Sequence, residues 1–149
     1  MLVPALLVPA LLVPAAGALA TPADAVKSRI TSLRELGAAF KAINDGLKAD
    51  EPQTILIQQS ARQVRNAANQ MPGWFPAGSG PEAGVKTSAK PEIWSQPAKF
   101  KAAVAAFTTE AGKFQAVAAS GNPAAMKAAA RSLGMTCKGC HDSFRVPGN

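Results

Sequence analysis

The chain has 149 residues, enough for one domain and too few for two of ordinary size, and 48% of them are hydrophobic, so a core can form. Aromatics are only 5%, Tyr is absent and Ala is abundant, a composition that favours helices over β-structure. The net charge of +7 is scattered, with no run of five basic residues and no aromatics interleaved among them. That excludes a single-strand nucleic-acid binder and reads as a solvated surface.

Residues 1–20 carry no charge, repeat a Val-Pro-Ala-Leu-Leu unit and end Ala18-Leu19-Ala20. The A-x-A ending reads as a secretory signal peptide cleaved after Ala20, although no Lys or Arg follows Met1. The prolines and the short length argue against a membrane-spanning helix. Export predicts a bacterial periplasmic domain over residues 21–149, with no membrane anchor once the signal is removed.

Thr21-Pro22-Ala23-Asp24 is a helix start: Thr caps, Pro suits the first helical position, and Asp suits the positive helix end. Apolar residues at Val26, Ile30, Leu33, Leu36, Phe40, Ile43 and Leu47 predict a long amphipathic helix over 22–48. Glu51-Pro52 opens a second helix, with Ile55, Ala61, Val64, Ala68 and Met71 as its inner face, and Pro72-Gly73 ends it. Residues 72–91, rich in Pro and Gly, form the main irregular segment. A loop this long in a compact domain is usually functional or without fixed structure. Its adjacent aromatics Trp74 and Phe75, and Trp94 in the short turn Glu92-Ile93-Trp94, are expected to anchor it. A third helix starts near Ser95-Gln96-Pro97, with Phe100, Val104, Phe107, Ala111, Phe114 and Val117 as its stripe. Ser120-Gly121-Asn122-Pro123 combines a stop, a cap and a first helical residue. The fourth helix, 123–144, carries Met126, Ala129, Leu133, Cys137, Cys140 and Phe144. The pattern predicts an all-α, antiparallel up-down-up-down four-helix bundle.

Cys137-Lys138-Gly139-Cys140-His141 is a C-x-x-C-H, the attachment pattern of c-type haem. Helical positions three and four apart share a face, so both thiols can reach haem vinyl groups while His141 faces the iron from the same side. Gly139 keeps the backbone slim there. The chain has two cysteines and one histidine, and all three lie in this motif. Four rivals are weaker. A redox C-x-x-C wants a thioredoxin-like βαβ setting, and no strands are predicted. A structural zinc site needs four ligands. A disulfide across C-x-x-C on a helix is strained. A buried Cys pair beside a core His would be coincidence.

With this motif on the last of four helices, the chain resembles the cytochrome c′ family. Val26-Lys27-Ser28-Arg29-Ile30-Thr31-Ser32-Leu33 is similar to the family's opening helix. Trp74-Phe75-Pro76-Ala77-Gly78-Ser79 and Lys90-Pro91-Glu92-Ile93-Trp94 resemble its loop signatures, and Cys137 to Arg145 its attachment segment. The resemblance implies one haem c, covalently bound through Cys137 and Cys140, with His141 as axial iron ligand. It further implies Arg29 at a haem propionate, Leu33 as the distal lid, Trp74 and Phe75 lining the pocket, and Arg145 on the proximal side. It also implies a homodimer through the first two helices. One departure is Ile30, where family members often have Gln.

Leu has no donor atom, so Leu33 predicts a five-coordinate, high-spin iron that binds nitric oxide and carbon monoxide, small gases that need no distal hydrogen bond. The alternative is a six-coordinate, low-spin electron carrier. Met71, Met126 and Met135 read as core filler, Met71 alone being kept as a candidate ligand. An acidic redox protein is a compatible partner for the basic surface. No enzyme is expected, because the only His is committed to iron.

Overall fold

The computed structural model describes residues 20–147, so most of the expected signal peptide lies outside the described residues. Helix α1 spans Pro22–Lys48, α2 Thr54–Gln70, the single turn α3 Glu92–Ser95, α4 Pro97–Ala119 and α5 Pro123–Phe144. Short 3₁₀ turns at Met71–Trp74 and Pro81–Ala83 punctuate the long loop. No helix among the described residues is long and apolar enough to cross a membrane.

The helix starts follow their capping chemistry. The Asp24 amide donates to Thr21 Oγ1 at 3.2 Å, and the Thr21 amide donates back to Asp24 Oδ2 at 3.2 Å, a reciprocal capping box. The Ala125 amide donates to Asn122 Oδ1 at 3.0 Å. Between α4 and α5, Gly121 takes φ of +70°, and its amide reaches back to the Ala118 carbonyl at 3.2 Å. A residue with a Cβ is strained there.

The long helices run up-down-up-down. Gln58 of α2 donates to the Ala118 carbonyl of α4 at 3.0 Å, and ten residues on, Thr108 of α4 donates to the Ala68 carbonyl at 3.3 Å, so α2 and α4 are antiparallel. Glycines bring neighbours close. A Cβ at Gly46 of α1 would lie 3.0 Å from Ile57 of α2, and one at Gly134 of α5 would lie 3.3 Å from Phe40 of α1. The core joins Ile43, Ile57, Val64, Phe107, Phe114, Met126 and Leu133, all at most 4% exposed.

Two expectations about faces change. In α2 the inner stripe starts at Ile57 rather than Ile55 and continues through Ala61, Val64, Ala68 and Met71, while Ile55 and Leu56 are exposed. The helix begins at Thr54, two residues later than Glu51-Pro52 suggests, and those first positions still face solvent. In α5, Met135 is 67% exposed and fills no core gap, unlike Met126, which is fully buried.

Candidate functional site

Helices α1 and α5 touch each other least among the adjacent pairs of the bundle. Between them lies a cavity of about 700 Å³, a size suited to a cofactor rather than a water molecule. Its α1 wall is Ile30, Leu33, Arg34, Leu36, Gly37 and Phe40. The α5 wall is Thr136, Cys137, Cys140, His141, Phe144 and Arg145. Phe100, Val104 and Phe107 of α4, with Val64 and Met71, close the inner side. Several positions of the α1 stripe, among them Ile30, Leu33 and Phe40, are only half-buried because they face this cavity rather than another helix.

The whole attachment motif serves one wall. Both cysteines are free thiols, half-buried and not disulfide-bonded. Burial pushes both thiols above their ordinary pKa, and for Cys140 the neighbouring Cys137 adds to the rise. Desolvation, then the positive charge of Arg145, pulls His141 below its ordinary value, against a smaller opposing effect of Asp142. The imidazole is thereby favoured in the neutral form that can donate a lone pair to a metal. Among the described residues no group of three or more His, Cys, Asp or Glu converges to hold a bare metal ion. Two thiols and one imidazole on an apolar wall fit a macrocycle that brings its own equatorial nitrogens.

A strap made of the long loop frames the cavity. Arg29 is 2% exposed, although it is a cation. Its Nη1 donates to Ser79 Oγ at 3.0 Å and the Trp74 carbonyl at 3.4 Å, and Nη2 donates to the Ser79 carbonyl at 3.0 Å and Thr87 Oγ1 at 3.3 Å. The guanidinium carbon sits 4.7 Å from the Phe75 ring centre and 5.6 Å from that of Trp94, cation–π distances. Burial lowers its pKa from the ordinary value, yet a guanidinium stays charged in proteins. All four acceptors are neutral, and no carboxylate pairs with it among the described residues. A buried cation with neutral partners is poised for an anionic group in the cavity that it lines.

The far end of the strap is sewn to α5. The Lys90 amide donates to the Phe144 carbonyl at 2.9 Å and the Val146 amide to the Ser88 carbonyl at 2.8 Å, an antiparallel bridge centred on Ala89 and Arg145. Aromatic edges add to the seam, with Phe75 against Phe100 at 4.8 Å and Phe100 against Phe144 at 5.3 Å. Trp94 donates its indole N–H to the Pro76 carbonyl at 3.0 Å, as an anchor should.

Of the residues singled out from sequence, Cys137, Cys140, His141, Arg29, Leu33, Phe75 and Arg145 all line this cavity. Trp74 does not. It lines a shallower hollow on the outer side of α1 and α2 with Ser32, Ala38, Ala42 and Ala67, because the 3₁₀ turn Met71–Trp74 places consecutive side chains on different sides. Sequence reasoning missed Ser79 and Thr87, which hold Arg29, and Arg34, Gly37 and Lys86, which line the cavity. Only the length of the loop hinted at the first two.

The comparisons agree with this geometry. The cytochrome c′ family model matches residues 24–145. A curated cytochrome c′ of Alcaligenes xylosoxydans xylosoxydans is 33% identical over 126 residues, spanning 85% of this chain and 96% of the relative. The crystal structure of cytochrome c′ from Rubrivivax gelatinosus superposes with a TM-score of 0.78 at 29% identity, covering 85% of this chain and 98% of that one. The ferrous, nitric-oxide-bound structure of an arginine-to-lysine variant of the Alcaligenes xylosoxidans protein gives 0.77 at 28% identity, covering 88% and 100%. With the attachment motif, the cavity and these likenesses together, the chain belongs to the cytochrome c′ family, whose members carry covalently bound haem c.

Proposed function

We propose that this chain is an exported, periplasmic haem protein that binds small neutral gases, nitric oxide and carbon monoxide, and is not an enzyme. The observation that carries this reading is Leu33, a side chain of carbon alone, lining the same cavity as His141 from the opposite helix. In this reading Cys137 and Cys140 hold the haem and His141 is its one protein ligand. When bound, the haem would supply an iron able to take a small gas. Leu33 would cover the face where the gas enters and offers no hydrogen bond, so selectivity would come from steric crowding and missing polarity. Arg29 holds a haem propionate. Arg145, four residues after His141 and on the same wall, stands on the proximal side. Two solved structures of one relative support the gas reading: the nitric oxide complex above and a carbon monoxide complex of a leucine-to-glycine variant of the same Alcaligenes xylosoxidans protein.

A homodimer through the outer faces of α1 and α2 is part of the proposal. The small side chains Ser32, Ala38, Ala42 and Ala67 leave a hollow there that a second copy can fill. A cytochrome c′ of 25% identity has ligand-controlled dimer dissociation.

One observation favours a second reading, electron transfer at a six-coordinate iron. Among the described residues Met71 is the one methionine lining the cavity, and a thioether is a usual haem ligand. Against it, Met71 is 7% exposed and packed into the core cluster. The cations Arg34 and Lys86 on the cavity rim suit an acidic redox partner. Optical and EPR spectra of the ferric and ferrous holoprotein, with and without each gas, separate the two. High-spin spectra that respond to carbon monoxide support the gas binder. A low-spin ferrous spectrum indifferent to carbon monoxide rejects it.

A further inference from the structure

Glycine inside a helix is unfavourable and needs a reason. At Gly46, Gly112 and Gly134 the reason is packing, since a Cβ would approach Ile57, Arg65 or Phe40 within 3.0, 3.2 or 3.3 Å. Gly139, without such a neighbour, belongs to the attachment motif. Gly37 has none of these reasons. A Cβ there meets nothing within 4 Å, and its φ is not positive, so neither crowding nor backbone conformation demands glycine.

What Gly37 does have is a position. It lines the cavity one helical turn after Leu33. Side chains on a helix lean towards its N-terminus and lie over the preceding turn. Any side chain at 37 would therefore rest on the 33–34 turn, beside Leu33. The bare Cα keeps that space clear.

We infer that Gly37 is a positioning residue that acts through Leu33: it keeps the space into which Leu33 withdraws when a diatomic gas takes the distal face. This rests on the reading of Leu33 as the lid over a gas-binding iron. A side chain at 37 traps Leu33 in its covering position and slows gas entry. Arg34, the next residue after Leu33, also lines the cavity but is exposed.

The test uses the holoprotein, comparing Gly37→Ala, Gly37→Leu, Leu33→Ala and the double variant Leu33→Ala/Gly37→Leu. Carbon monoxide association to the ferrous protein is followed by stopped flow, and thermal unfolding of the same samples is recorded. Gly37→Leu is expected to slow association about tenfold, the rate equivalent of one overpacked side chain. Gly37→Ala slows it about threefold on the same scale, while raising the unfolding temperature by about 3–5 °C because alanine is the better helix former. In the Leu33→Ala background the effect of Gly37→Leu shrinks below about twofold, as expected for residues coupled by contact. Equal slowing in both backgrounds, or no slowing in either, overturns the inference. If Leu33→Ala speeds association but the Gly37 variants change nothing, only the role of Gly37 falls. If Leu33→Ala leaves the rate unchanged, the lid reading falls with it. Should Gly37→Leu fail to fold, the opposed shifts of rate and unfolding temperature in Gly37→Ala decide the matter.

Discussion

Where α2 meets α4, Ala61, Val64 and Ala68 join Val104, Phe107, Ala111 and Phe114 in one cluster, each at most 5% exposed. Where α1 meets α5, Phe40 packs close to Gly134, while Ile30, Leu33, Cys137 and His141 face a cavity. The first seam packs its apolar side chains largely on each other, with Val64, Val104 and Phe107 also forming the cavity's inner wall; the second leaves its apolar side chains facing open space. The long loop makes the second arrangement stable. Arg29 ties it to α1, and the bridge at Ala89 and Arg145 ties it to α5. Without those two seams the α1 and α5 walls would have little to hold them apart at a fixed width.

This contrast separates mutations that remove the cofactor, mutations that remove stability and mutations that alter ligand access. The largest effect is expected at the attachment wall. Replacing both Cys137 and Cys140 by Ser abolishes covalent attachment, read as loss of the haem mass and of the haem absorption band in the purified protein. Next comes the closed seam. Phe114→Ala empties a fully buried ring position and costs about 3–5 kcal/mol in denaturant unfolding. The spectrum of the remaining folded holoprotein stays unchanged, and a changed spectrum would mean that the two seams are not independent.

Arg29→Met is expected to cost about 2–3 kcal/mol, since it orphans the buried acceptor Ser79 and the half-buried Thr87. Limited proteolysis should then cut the 76–90 loop first. Leu33→Ala sharpens the comparison from the other direction: a half-buried cavity side chain carries little of the fold, so stability changes by about 1 kcal/mol or less while carbon monoxide association accelerates about tenfold or more. The smallest effect lies at the start of α1. Asp24 is held below its ordinary pKa first by its side-chain hydrogen bond to Thr21. A depressed folded-state pKa contributes stability above the unfolded value that is lost as pH falls through the folded one. Acidification below the ordinary carboxylate range should therefore speed amide exchange in the first turn of α1 and leave α4 untouched.

Much of this was legible in one dimension. The caps Thr21 and Asn122, the stop at Gly121 and the three-four spacing of apolar residues define the long helices, because capping and amphipathicity are local. The C-x-x-C-H motif names its own cofactor, because its chemistry needs only adjacent turns of one helix. Errors arose where local rules run out. Ile55 fits a helical stripe as well as Ile57 does, and only the neighbouring helices choose between them. Trp74 and Phe75 are adjacent in sequence, yet a 3₁₀ turn sends one to an outer hollow and the other to the cavity. Ser79 and Thr87 carry no signal in themselves, since a hydroxyl becomes a partner for Arg29 only when a loop 50 residues away folds over it.

The sequence by itself determined the long helices, their order and the C-x-x-C-H motif on the last of them, because these depend on contacts within a few residues. Only the tertiary structure decided that α1 and α5 stand apart around a cavity, that Arg29 is buried among neutral acceptors, and that a Cβ at Gly37 would meet no neighbour. Those facts depend on how distant segments share volume, and no local spacing encodes that.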